Sequence, residues 1–77
     1  MKLEYNSLCG QYKYIVVLIE GDLIEITTNF NWSPGSYNRG NISIFNGKIM
    51  WGRDNILQLT DDCKHYIEKL VKMKAFI

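Results

Sequence analysis

The stretch Tyr12-Lys13-Tyr14-Ile15-Val16-Val17-Leu18-Ile19-Glu20-Gly21-Asp22-Leu23-Ile24-Glu25-Ile26-Thr27-Thr28-Asn29-Phe30 decides the fold. Both arms are rich in β-branched and aromatic residues, which fit a pleated, half-buried surface. Gly21-Asp22 between them makes a two-residue hairpin loop, glycine supplying the positive φ that a type I′ or II′ turn requires. Such a loop fixes the register. It sets Ile19 opposite Ile24, Val17 opposite Ile26 and Ile15 opposite Thr28, an apolar set expected to face the core. The opposite face pairs Leu18 with Glu25, Val16 with Thr27 and Tyr14 with Asn29, and is more apolar than a solvated face requires.

Working outward, Met1 to Asn6 alternates apolar and polar residues at period two, a strand pattern. Downstream, Asn46-Gly47 is the strongest short-range hairpin signal, because both residues tolerate left-handed backbone. Its register pairs Ile44 with Ile49 and Ile42 with Trp51 on the core side, leaving Ser43, Phe45, Lys48 and Met50 on the other. Gly52 to Asn55 is turn chemistry, and Ile56 to Leu59 fits a short last strand. Thr60 is a natural N-cap, and Asp61 and Asp62 suit the first turn of a helix. Cys63, Ile67, Leu70, Val71 and the stem of Lys74 form its apolar stripe, with Lys69, Lys72 and Lys74 loading its C-terminal end. The expected fold is α+β: one domain over residues 1–77, an antiparallel sheet of four to five strands (two hairpins) packed against one C-terminal helix.

Composition excludes several function classes. Nine basic and eight acidic side chains leave a net charge of +1. A dedicated duplex-DNA binder carries a clear basic excess, since phosphate neutralisation supplies most of its affinity. Cys9 and Cys63 are the only cysteines and have no metal-ligand spacing, so free thiols in a reducing cytoplasm are expected. The apolar run Tyr14 to Ile19 is too short for an export signal or a membrane span, which points to a soluble cytoplasmic protein.

No residues assemble into a catalytic or metal pattern, and no cofactor motif occurs. His65, the single histidine, falls on the polar face of the helix with no nucleophile beside it. Cys63 and His65 stand two apart on a helix and point in different directions, so they cannot share a metal. The glycines do not have phosphate-loop spacing.

Chemistry concentrates instead between the hairpins, in the turn-rich stretch Asn31 to Asn41. Ser33-Pro34-Gly35-Ser36 has the proline and glycine of a type II turn, while Asn38 and Gly40 tolerate positive φ. Trp32, Tyr37 and Arg39 are residue types enriched at binding hot spots, with Asn31, Asn38 and Asn41 as adaptable polar neighbours. Trp32 and Tyr37 either fold back over an open sheet face or project as a contact surface; projection is the expectation. Between Glu25 and Asp54 there is no acidic residue, while Arg39, Lys48 and Arg53 are basic. The candidate contact set is Trp32, Tyr37, Asn38, Arg39, Tyr14, Phe45, Lys48 and Arg53. Tyr14, Val16, Leu18, Phe45 and Met50 are expected to make an apolar second face, suited to a partner or to a homodimer.

The expected function is a small non-catalytic protein-binding module. Seven lysines, seven asparagines and a single alanine fit AT-rich coding, as in low-GC bacteria and their viruses. Size and composition therefore suit a phage accessory protein that inhibits a host protein or nucleoprotein complex, such as a defence complex, by occupying its surface. Binding of single-stranded nucleic acid through the same aromatic and basic side chains is the alternative.

Overall fold

In the computed structural model, which describes residues 2–52 and 54–73, five strands form one antiparallel sheet in sequential order. They are β1 (Lys2–Asn6), β2 (Tyr12–Glu20), β3 (Leu23–Phe30), β4 (Tyr37–Phe45) and β5 (Lys48–Met50). A single helical turn, α1 (Asp54–Leu57), leads to the main helix α2 (Asp61–Lys72). The α+β architecture of the sequence reading is therefore present, with all five strands formed.

The first hairpin departs from expectation at one point. Tyr14 pairs with Thr28, Val16 with Ile26 and Leu18 with Ile24, but Glu20 pairs with Leu23, so Ile19 is an extra residue in β2. Gly21 lies outside the left-handed region. The turn is thus not of the primed kind whose twist matches two flat-paired strands, and a bulge next to it restores the match. One extra residue moves every side chain of β2 to the opposite face. Tyr14 and Val16 are buried with Ile24 and Ile26, whereas Ile15 and Val17 lie on the uncovered side and Ile19 is 45% exposed. The expected core set Ile15, Val17 and Ile19 is thereby corrected to Tyr14 and Val16, with Leu18 packed against them.

The second hairpin follows its expected register: Ile44 opposite Ile49, Phe45 opposite Lys48, and Asn46 and Gly47 both at positive φ (51° and 79°). On its far side, β4 pairs with β3 from Tyr37 to Ser43. Residues 37–41 are therefore strand, and the loop between the hairpins shrinks to Asn31–Ser36. Neither Asn38 nor Gly40 takes positive φ. The type II turn is present, with Gly35 at φ 89° and the Ser36 N–H donating to the Ser33 carbonyl at 3.0 Å.

The expected last strand, Ile56 to Leu59, is replaced by the end of α1 and a left-handed residue, Gln58 (φ 51°). Hydrogen bonds from the sheet hold this connector. The Thr28 hydroxyl donates to the Leu57 carbonyl and the Tyr14 hydroxyl to the Gln58 carbonyl, both at 2.6 Å, while the Thr60 N–H donates to the Tyr14 oxygen at 3.3 Å. Buried Leu57 thus sits over β3 with its carbonyl satisfied.

Helix α2 begins as expected, with the Thr60 side chain accepting from the Cys63 N–H. Cys63 and Ile67 are buried against the sheet, and Leu70 and Val71 are half-buried. Lys74 lies outside the described residues. The helix meets β1 where Tyr66 stacks on Tyr5 (centroids 4.4 Å apart) and meets the residue that follows β5 where the Lys64 ammonium lies over Trp51 at 5.9 Å. Asp62 accepts from the Tyr5 hydroxyl at 2.8 Å and from the Leu8 N–H at 2.9 Å, tying both β1 and the first turn to the helix. One face of the sheet is covered, and no element among the described residues covers the other.

Candidate functional site

Alternation along each strand sorts the side chains by face. With Tyr14, Ile24, Ile26 and Ile42 under the helix, the open face carries Lys13, Ile15 and Val17 of β2 and Glu25, Thr27 and Asn29 of β3. From β4 and β5 it takes Tyr37, Arg39, Asn41, Ser43, Phe45, Lys48 and Met50. Ile15, Val17, Thr27, Tyr37 and Arg39 line a shallow basin of about 430 Å³ there. Phe45 (66%) and Met50 (54%) lie toward the β4–β5 turn, both exposed.

Tyr37 and Arg39 act as a unit. They are two apart on β4, so both project to the open face, and the guanidinium lies 5.7 Å from the Tyr37 ring centroid. Arg39 Nε donates to the Thr27 hydroxyl at 3.3 Å, holding the side chain across the sheet and burying Thr27 beneath it. This fixes a cation in a shaped position with little rotamer freedom left to lose on binding.

The candidate contact residues do not form one cluster. Trp32 is 66% exposed, but its ring packs at a tilt against Phe30 (5.3 Å), which meets Tyr12 (5.9 Å), which in turn meets Tyr14 (6.0 Å). Tyr12 and Phe30 share the face of Tyr14, so this aromatic row belongs to the covered side and Trp32 stands apart from Tyr37 and Arg39. Trp32 and Tyr37 are both exposed, and neither closes over the sheet. The Asn38 amide donates to the Ile56 carbonyl at 2.8 Å and helps fasten α1. Tyr14 is fully buried and removed from any surface. Phe45 and Lys48 are exposed on the open face, as expected of them. Arg53 lies outside the described residues.

The sequence reading placed Thr27 on the open face but missed Ile15 and Val17 there. Charge does not separate the two alternation sets of β2, since Lys13 belongs to one and Glu20 to the other. The register alone assigns the faces, and the bulge at Ile19 sets it.

Several titratable groups are engaged in structure. Asp62 is held down to about 2 by hydrogen bonding from the Thr60 hydroxyl, the Leu8 N–H and the Tyr5 hydroxyl. The Tyr5 hydroxyl is raised to about 12, first by its bond to Asp62. Burial pushes Cys63 up to about 12. Cys9 is exposed and Cys63 buried, and both are free thiols. Among the described residues, no group of three or more His, Cys, Asp or Glu side chains is placed to hold a metal. No helix there is long and apolar enough to cross a membrane. The open face can therefore offer contact area, a fixed cation and a strand edge, and compared with protein-family models, curated proteins and solved structures, the chain matches none.

Proposed function

We propose that this chain is a small, non-catalytic protein-binding module that works by occupying a partner's surface with the open face of its sheet. One observation carries this reading. Tyr37, Phe45 and Met50 are more than half exposed on a sheet face that no described element covers, with Arg39 fixed beside Tyr37. Exposed apolar area arranged around an oriented arginine is the composition of a binding patch. The finer reading is a phage-type inhibitor of a host defence complex, supported by chain size and by the lysine- and asparagine-rich composition.

Capture of a partner from source-cell extract tests the proposal, using Tyr37→Ala, Arg39→Ala and Trp32→Ala beside the wild type. Tyr37→Ala and Arg39→Ala should lose the partner while Trp32→Ala keeps it. Equal retention by all three would remove the open face from the interaction.

The stacked Tyr37–Arg39 pair also favours single-stranded nucleic acid as a second reading, since a base can stack on the ring while the guanidinium meets phosphate. Glu25 in the same basin opposes it. Affinity for single-stranded DNA or RNA that falls steeply with salt would support this reading, and no binding at low salt would end it.

A further inference from the structure

Strand β5 is much shorter than the strand it pairs with. It covers β4 only from Ser43 to Phe45, although β4 begins at Tyr37. In an antiparallel ladder, successive residues direct their main-chain groups to opposite edges. The Ile44 N–H donates inward to Asp22 at 2.7 Å, so even-numbered residues of β4 face β3 and Tyr37, Arg39 and Asn41 face outward. Among the described residues, no strand or loop hydrogen-bonds to those outward groups. The opposite edge of the sheet carries Lys2 and Glu4, charges that discourage added strands. The β4 edge bears one charge, Arg39, held against Tyr37.

We infer that the β4 edge from Tyr37 to Asn41 accepts an extended segment of a partner protein as an antiparallel sixth strand, with acidic residues opposite Arg39 and apolar residues between them. The inference rests on the protein-binding reading and specifies how the partner is held. The occupant's alternation follows from the two faces. Residues that bond to Tyr37, Arg39 and Asn41 project onto the open face, where Arg39 is the charge on the edge strand itself, Thr27 and Tyr37 are neutral neighbours, and Glu25 lies one strand further in. Intervening residues project to the other side, where α1 presents Ile56, 57% exposed and anchored to Asn38. Main-chain bonds supply affinity and the alternating pockets supply selection. A second copy of this chain fits less well. The two-fold register that uses all three outward residues is centred on Arg39 and sets it against its own copy, a repulsive cross-strand pair.

The probe is a capped octapeptide of alternating valine and glutamate, followed by amide spectra and hydrogen exchange of the full chain. Binding should protect the Tyr37, Arg39 and Asn41 amides. Replacing glutamate with lysine should weaken binding at least tenfold, as should N-methylation of the glutamate amides, which face β4. Arg39→Glu should reverse the preference between the two peptides. Asn41→Pro removes an outward N–H and leaves the β3–β4 ladder intact; it should reduce affinity at least fivefold. Equal binding of the acidic and basic peptides, or unprotected outward amides, would overturn the inference. So would a doubled mass with those amides protected in the absence of peptide, which would mean that a second copy occupies the edge. If the captured partner is lost with Tyr37→Ala but kept by Asn41→Pro, strand addition falls and the open-face reading stands. If no partner depends on either, that reading falls first.

Discussion

Replacing Tyr14 with phenylalanine separates the scaffold from the binding surface. The ring stays in the core, so no cavity forms and the apolar contacts with Val16 and Ile26 persist. Two hydrogen bonds go: the hydroxyl's donation to the Gln58 carbonyl and its acceptance from the Thr60 N–H. Each is worth about 1 kcal/mol net. Gln58 is exposed, so water replaces part of the first bond, and the expected loss is about 1.5 kcal/mol. For a domain of this size that is a fall in Tm of roughly 6–12 °C. Thermal unfolding followed by far-ultraviolet circular dichroism reads the stability, and titration against the captured partner at 15 °C reads the binding. Stability should fall while affinity holds. A Tm change below about 3 °C would mean that the connector is not held by this hydroxyl. A loss of affinity as large as that of Tyr37→Ala would return Tyr14 to the contact surface.

Three further outcomes are expected. Stability should decline as pH falls from about 4 toward 2, because Asp62 stays ionised in the folded chain down to about 2 and its stabilisation is lost once it protonates; urea midpoints across this range check it. At the alkaline end the sign reverses: Cys63, Tyr5 and Tyr14 keep their protons up to about 12 when folded, so stability is full below the ordinary thiol value of 9.0 and is lost as pH rises from there toward 12. Gly35→Ala should cost about 1 kcal/mol from its left-handed backbone alone, since an added Cβ meets nothing within 4 Å, whereas Gly21→Ala should change stability by less than about 0.5 kcal/mol. Equal Tm shifts for the two variants would contradict the turn geometry.

Strands, the second hairpin and the capped helix were legible because each is written in short-range signals: Asn46-Gly47, Thr60 with Asp61 and Asp62, and runs of β-branched residues. The face assignment of β2 was not. Both of its alternation sets are apolar, so register alone had to decide between them, and a single bulged residue at Ile19 reversed the answer. The candidate site inherited that error at Tyr14. Tyr37 and Arg39 were identifiable as candidate contact residues by type, but their pairing needed β4 to begin at Tyr37, and Asn38 and Gly40 resemble loop residues. Their strand conformation comes from pairing with Thr28 and Ile26, a tertiary effect outside local propensity. Ile56 to Leu59 likewise has strand-like composition, yet the hydroxyls of Thr28 and Tyr14 hold this segment as a helical turn and connector.

The sequential strand order also bears on how the chain assembles. Each strand meets its neighbour across a short connection, so the sheet can form by successive local closures, each with a small entropic barrier. Docking of α2 is different, because the Tyr5–Asp62 bond spans 57 residues. It closes a loop far longer than any between neighbouring strands and buries Cys63 and Ile67 in the same step. Lifting the helix would uncover Cys63 and Ile67 with every strand still paired, so this opening is the one expected to admit proteases. Tyr5, on the strand at the opposite edge of the sheet from β4, is thereby expected to set resistance to proteolysis without touching the proposed contact surface.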